Sequence, residues 1–502
     1  MYRSLQEYVD YLESRGELKR VKQFIDPVMG ITRFTQVERE GKNKALLFEN
    51  TGTPYPVLTN FFYSENRVLY ALDINSFDDI LSKINALTSA FPEEKGGYFD
   101  KFKLLSFINR ANSWLPVSCK GHAPCQDVVQ YGANLSELPI LKCFESDGGR
   151  FITLPLVHTY SPVSGKRAVD IYPMQMLDDC STSMHFEKHK DAARHLEESK
   201  YRLPVAVCLG GDPLYSILAS TPLPPAIDKY LFAGFLRDKP VEMTDCFTQE
   251  IKVPADCDFV IEGYIQKTEA MALQGAFGDP DDFCSEPQMK PVFHITCISH
   301  RKEAIYPAFC GGRHPQVERH LSRAWEEIYL PLMQKTIAPS LLDLYMIETN
   351  IAVIKVKKRF AGQVFSIANA LWGSNMMMLN KLIIAVDENV NIRDTESVKQ
   401  ALLKNYLPER DTLISKGPDD VFDHSAHENG RGGKLCIDAT THESGSGKSE
   451  FSDLIKVTRD HSENEAGDER ILRLLSLNCD MERDVTFRNS SLILDARCKV
   501  KD

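Results

Sequence analysis

The sequence predicts a mixed fold, α/β at both ends with a strand-rich middle. Three observations predict it. The 502 residues exceed one hydrophobic core and suggest roughly three domains of about 100–200 residues each. From about Cys119 to Arg301, helix-like periodicity gives way to short runs of β-branched and aromatic residues separated by Gly, Pro and Asp. On either side of that region, apolar runs alternate with amphipathic segments, the pattern of α/β units.

At the start, Ser4 and Glu7 form a capping box, Leu5, Tyr8, Val9 and Leu12 share one helical face, and Gly16 supplies a stop. A helix therefore opens the chain. ALLFEN and PVLTNFF read as strands and SFDDILSKINAL as a helix, and this first domain, residues 1–118, ends at SWLPVS. The central domain, 119–320, holds the strand-like GGRFITLPLVHTY, KRAVDIYPMQML, YRLPVAVCLGG, DFVIEGYIQ and PVFHITCISHR, which favour a mostly antiparallel sheet or barrel. The third, 321–441, carries the helix-like WEEIYLPLMQKTI, the strand NIAVIKVKK, a helical run through 368–371 and the strand KLIIAVD. The methionines at 376–378 read as packed helix. From 442 to 502 the chain is polar, with an amphipathic stretch around 471–477 suited to docking on the body or on a second subunit.

With 43% hydrophobic and 26% charged residues the composition is that of a soluble globular protein, and a formal net charge of −11 argues against a nucleic-acid or anionic-membrane surface. A small molecule or another protein is the expected partner. No run of 18 apolar residues exists, and MYRSLQEYVDYLESRGE lacks a signal-peptide core, so no membrane span and a cytoplasmic location are expected. The 13 cysteines include no C-x-x-C pair and read as reduced thiols rather than disulfides or structural zinc. ESGSGKS imitates a phosphate loop, but His442 stands where its first glycine is required, which leaves a flexible Gly/Ser loop.

The stretch VDIYPMQMLDDCSTSMHFEKHKDAARH, residues 169–195, reads as a strand, an Asp-Asp turn and a helix with three histidines. His185 and His189, at i and i+4, are able to face one metal, and His195 reads as solvated. Asp279, in a Gly-Asp-Pro turn, is as readily a turn former as an acid. On the residues alone, a cofactor strand, a metal site and a piece of core all stay open.

Larger segments narrow the choice: YVDYLESRGELKRV, APCQDVVQYGANLSELPILKCFESDGGRFITLPLV, YLFAGFLRDKPVE, FVIEGYIQ, GAFGD, ALWGSNMMMLNKLIIAVDENVNIRD, DHS and GGKLCIDAT. In this order and spacing they resemble the UbiD family of non-oxidative aromatic and acrylic acid (de)carboxylases, nearly end to end. The resemblance implies an N-terminal α/β domain, a central split β-barrel of flavin-reductase type, and a C-terminal α/β domain with a terminal helical extension. It also implies homodimers or homohexamers, a carboxylic acid substrate and prenylated FMN, or FMN, as cofactor. Loss of CO2 from an sp2 carbon leaves a carbanion without an internal sink, which is why such a reaction recruits a flavin-derived ring. Family members set the cofactor phosphate against a divalent cation held by Asn, His and Glu, and use an Arg-Glu-Glu or Arg-Glu-Asp network for substrate carboxylate and proton.

Carried over residue by residue, the family strand N-V-G-x-Y-R places Ala168 where Asn is usual and Pro173 where Arg is usual, while Ile171 and Tyr172 keep their places beside the cofactor. Proline carries neither charge nor donor. The segment M-H-x-x-x-H-K makes His189 the metal histidine. LQGAFGD resembles E-G-P-F-G-[ED], so Gln274 replaces the first carboxylate and Asp279 keeps the second. The metal glutamate falls on Lys229, or with a one-residue slip on Asp228; Ser220, Thr221, Pro222 and Lys434 match positions that border the cofactor. These replacements argue against Mg or Mn, for which Asp170 and His189 are the remaining ligands, and give Lys229 the role of countercharge to a phosphate, pointing into the barrel cleft toward His189. A flavin-sized cavity is expected between the central barrel and the C-terminal domain, with acid/base chemistry resting on Asp279. Three functions follow: a UbiD-like carboxy-lyase, a catalytically degenerate flavin-binding homologue or non-catalytic subunit of a related decarboxylase, and a structural oligomer with an empty barrel.

Overall fold

A computed structural model describes residues 2–89, 110–132, 134–224, 227–278, 285–311, 316–348, 350–420 and 430–442, which divide between Leu321 and Ser322 into two compact units. The first unit opens with the helix Leu5–Ser14. Ser4 caps it by accepting from the Glu7 N–H at 3.2 Å, and Glu7 in turn accepts from the Arg3 N–H at 2.8 Å, one residue ahead of a regular capping box. Leu5, Tyr8, Val9 and Leu12 are buried, as their spacing requires. Beneath lie the strands Leu18–Phe24, Ala45–Asn50 and Val57–Thr59, and a fourth, Tyr306–Pro307, returns to this sheet from far along the chain. Two residues carry no periodicity, so nothing in the sequence announced that strand.

The main sheet of this unit has nine strands and is antiparallel at every pairing. Its path runs Phe151–Ile152, Met174–Asp178, Ser181–Ser183, Val292–His300, Phe259–Gln266, Arg202–Leu209, Leu156–Tyr160 and Arg167–Ile171, with Val128–Tyr131 added on Val292–His300. The sheet curls into a half-barrel. One cause is visible where the register shifts between Glu262 and Gly263: a Cβ at Gly263 would lie 2.0 Å from the His294 carbonyl oxygen, so only glycine permits the bulge. The concave core is built from Tyr172, Met174, Met184, Phe259, Phe293 and their neighbours, all below a tenth exposed.

The stretch 169–195 departs from the strand–turn–helix expectation. After the strand Arg167–Ile171 the chain breaks at Pro173, runs as Met174–Asp178, turns where Asp178 accepts from the Cys180 N–H at 2.8 Å, and pairs again as Ser181–Ser183. The helix begins only at Asp191. Pairing of Ser181–Ser183 with Val292–His300 overrides the local helical spacing, so His185 and His189 are not on consecutive turns of a helix. His195, expected in solvent, is buried with its Nδ1 2.9 Å from Thr159 Oγ1.

In the second unit, the strand order is Leu341–Glu348, Ile351–Val356, Leu382–Val386, Gly432–Asp438 and Thr412–Gly417, parallel across the middle three and antiparallel at both edges. The helices Gln363–Trp372 and Thr395–Asn405 supply crossovers, as the alternation of apolar runs predicts. Residues 376–378 form a turn rather than helix, because Gly373 ends the preceding helix, and only Met377 is fully buried. The expected docking stretch at 471–477 and the Gly/Ser loop beyond His442 lie outside the described residues. Among the described residues every cysteine is a free thiol, and no helix is long and apolar enough to cross a membrane.

Candidate active site

Three elements of the first unit meet at Lys229. The strand Arg167–Ile171 brings Asp170; the helix Pro213–Ser220 brings its C-terminal carbonyls; the helix Lys229–Arg237 starts with the lysine itself. Lys229 Nζ donates to Asp170 Oδ1 at 2.9 Å and to the Ala219 carbonyl at 2.8 Å. Its third N–H has no acceptor among the described residues, and the side chain keeps 13% of its surface open. Burial presses the ammonium toward its neutral form, and the Asp170 carboxylate opposes that. The neighbouring Asp228 is committed elsewhere. It caps the helix through the Tyr230 and Leu231 N–H groups and takes both arms of Arg167 at 2.8–3.0 Å. The register that presents lysine to the site is thus the one the fold adopts.

Tyr172, fully buried, reaches the same carboxylate, its hydroxyl 3.4 Å from Asp170 Oδ2. Phe186 packs on its ring edge-on at 5.1 Å and the Lys190 ammonium lies 5.2 Å from the ring centre. Lys190 and His189 both engage Glu187, at 3.2 and 3.1 Å. Burial alone would raise the Glu187 carboxyl, but Lys190 and His189 overcome it and hold it down at about 2. His189 therefore turns to Glu187, not to Lys229.

A third group lies between the two motif segments. Ser183 Oγ accepts from the Gln175 N–H at 3.3 Å and donates to Gln274 Oε1 at 2.8 Å, so the Gln274 amide nitrogen faces His185 Nδ1 at 2.9 Å. Burial first, then the nearby Lys290, push the His185 imidazole down to about 4. The loop after Gln274 is pinned by its backbone. Gly275 donates to Gln175 Oε1 at 2.7 Å, Gln175 Nε2 donates to the Gly148 carbonyl at 2.9 Å, and Gly278 donates to Asp147 Oδ1 at 2.8 Å. A Cβ on Gly275 would stand 2.5 Å from Gly148 Cα, so both positions require glycine.

Of the site residues expected from sequence, the fold brings together Asp170, Ile171, Tyr172, Lys229 and the helix end bearing Ser220, Thr221 and Pro222; Ser220 and Thr221 return their hydroxyl hydrogens to the Ile217 carbonyl. His189 joins them through Glu187, Lys190 and Tyr172, and Gln274 through His185. Asp279 lies outside the described residues. Lys434, in the second unit, is buried and donates to the Met378 and Asn380 carbonyls at 2.6 and 2.9 Å. Sequence reasoning missed Lys190, Asp147 and Gln175, although the lysine sits inside the M-H-x-x-x-H-K segment.

The donor set does not fit a divalent metal. Lys229 already fills the space beside Asp170, His189 is tied to Glu187, Ala168 offers no ligand, and no group of three or more metal-binding side chains occurs among the described residues. It does suit an anionic headgroup, through the unclaimed N–H and residual opening of Lys229.

Comparison with known proteins shows the family of the chain. Models of the 3-octaprenyl-4-hydroxybenzoate carboxy-lyase N-terminal, Rift-related and C-terminal domains match residues 9–84, 117–314 and 319–439. An uncharacterised protein of Aquifex aeolicus is 38% identical over 450 residues, 88% of this chain and 92% of that protein, and one of Archaeoglobus fulgidus is 36% identical over 449 residues with the same coverage. Among solved structures, the closed form of Sedimentibacter hydroxybenzoicus vanillic acid decarboxylase superposes with a TM-score of 0.79 at 25% identity, covering 95% of this chain and 99% of that one. The enzyme HmfF of Pelotomaculum thermopropionicum, solved in complex with FMN, superposes with a TM-score of 0.71 at 23% identity, covering 91% and 100%, and shares the fold.

Proposed function

The chain belongs to the UbiD family, and from that premise we propose that it is a non-oxidative decarboxylase of an aromatic or α,β-unsaturated carboxylic acid. The observation that carries the reading is the meeting of Asp170, Tyr172 and Lys229 at one edge strand of the curled sheet, with the His185–Gln274 pair tied to another of its strands through Ser183. The cofactor is prenylated FMN or FMN; related structures of this fold hold FMN and prFMN. When bound, it supplies the electron sink that the departing CO2 requires.

The chain's own residues bind, orient and protonate. Lys229, its charge shared with Asp170, directs its remaining N–H to the cofactor phosphate, with Ser220, Thr221 and Pro222 at the adjoining helix end. Ile171 and Tyr172 would help to hold the cofactor, and Lys434 is a further cofactor-binding residue by motif position. Asp279 delivers a proton to the carbon that has lost CO2; Gln274 does not ionise near neutral pH and acts by hydrogen bonding. The domains divide at 1–118, 119–320, 321–441 and 442–502, the second being a split barrel of flavin-reductase type; the oligomerisation extension expected from 442 onward lies, past His442, outside the described residues. A cytoplasmic homodimer or homohexamer fits this reading.

A second reading, a flavin-binding homologue without catalysis or a non-catalytic subunit, is favoured by Pro173 and Gln274, which remove a carboxylate clamp and one acid together. One experiment separates them. The protein is purified, its yellow chromophore is identified by mass spectrometry, and CO2 release is followed with a panel of aromatic and acrylic acids. Turnover with any acid supports the first reading; a bound flavin without turnover across the panel supports the second; a colourless protein that takes up no flavin sinks both.

A further inference from the structure

Resting on the decarboxylase reading, we infer that His185 is the residue that receives the substrate carboxylate, with Gln274 as the positioning residue that fixes its tautomer. The hydrogen-bond chain has one direction. Ser183 Oγ is already an acceptor for the Gln175 N–H, so it donates its own hydrogen to Gln274 Oε1. That orients the amide NH2 toward His185 Nδ1, which accepts, and the imidazole proton therefore sits on Nε2. His185 Nε2 is buried and has no hydrogen-bond partner among the described residues, in a side chain only 7% exposed. A buried N–H without an acceptor loses its hydration with nothing in return, and such a group persists where a ligand supplies the acceptor.

Position and chemistry agree on what that acceptor is. His185 is preceded by the strand Ser181–Ser183 and joined to Gln274, and among the described residues Lys290, Glu187 and Lys190 are the charged groups that act on it. Two of those three are cations, which suits an anion. Pro173 offers neither donor nor charge, whereas the neutral His185 imidazole keeps an N–H for the carboxylate. A neutral donor binds carboxylate without the charge of a guanidinium, which lets the carboxylate leave as uncharged CO2 with no buried cation left unpaired.

The test uses the full-length flavin-loaded protein with vanillate as carboxylate probe and vanillamide as its uncharged isostere. His185→Leu is expected to weaken vanillate binding about tenfold or more and leave vanillamide within about twofold, the worth of one hydrogen bond to a charged group. His185→Gln, which reaches as far with an amide N–H, restores vanillate to within about threefold. In 15N-histidine spectra the Nε2–H signal absent from His185→Gln shifts when vanillate is added and not with vanillamide. Gln274→Leu frees the tautomer and weakens vanillate alone. Equal loss of both probes in His185→Leu, or vanillate binding as tight as in the unmodified protein, overturns the inference while the decarboxylase reading stands. Unmodified protein that binds neither probe nor any acid of the panel overturns both.

Discussion

Replacing Lys229 with Met tests the claim that an ammonium does structural work where a metal would stand. The change strands the Asp170 carboxylate, whose other side-chain hydrogen bond among the described residues is to the Tyr172 hydroxyl at 3.4 Å, and takes the ammonium from the Ala219 carbonyl. Removing one partner of a fully buried pair costs about 3–5 kcal/mol; with the two side chains 13% and 17% exposed, part of that is screened, and about 2–3 kcal/mol is expected. Asp170→Asn in the Lys229→Met background removes the stranded charge and should recover about half of the loss. Urea unfolding of the two single variants and the double variant measures this directly as a coupling energy. The same proteins are then unfolded with EDTA, Mg or Mn. Unmodified protein should show no metal dependence, because a divalent ion beside Asp170 must first displace Lys229. Strictly additive single costs, or a midpoint that EDTA lowers in the unmodified protein, refute the reasoning.

Three further outcomes are expected. Lys229→Glu alone places two carboxylates together and weakens FMN binding, whereas Lys229→Glu with Ala168→Asn rebuilds an oxygen-rich ligand set; Mn should then raise its melting temperature, and a flat response counts against the motif assignment. Asp279→Asn should abolish decarboxylation while flavin stays bound, and near-normal turnover in that variant would show Asp279 to be a turn former. Asp256 is raised to about 8 by burial and by the nearby Asp212, with Oδ1 unpartnered. Its folded value exceeds the unfolded one near 4, so its contribution is intact below about pH 4 and is lost as pH rises through about 8. Asp256→Asn should therefore raise the melting temperature at pH 8, by about 2–4 °C per kcal/mol, with little change at pH 5.

The parts of the fold legible in the sequence are those fixed by period and by capping. The helix at Leu5–Ser14, the antiparallel middle and the parallel strands Ile351–Val356 and Leu382–Val386 all follow from which side chains must be buried. What failed did so for one reason. Ser181–Ser183 and Tyr306–Pro307 are too short to carry a period, and each exists because a distant strand needs a partner. That failure bears on the site, because reading the segment after the Asp-Asp turn as helix put His185 and His189 on one face, able to meet one metal. With the strand Ser181–Ser183 in place, the two histidines separate: His189 goes to Glu187 and His185 to Gln274. Asp228 serves Arg167 and the helix start while the next residue, Lys229, turns to Asp170, a division of labour that motif position alone leaves open.

The polar side chains of the site then read as one arrangement. Lys229 supplies a cation, and Asp170, on the same strand as Ala168, anchors that cation. Gln274 supplies an amide that donates to His185, so the imidazole is fixed in one tautomer. A decayed site accumulates changes without regard to one another and leaves buried charges unpaired at several kcal/mol each. Here the buried lysine and aspartate are partnered and the buried imidazole is held neutral, leaving one N–H for a ligand to complete.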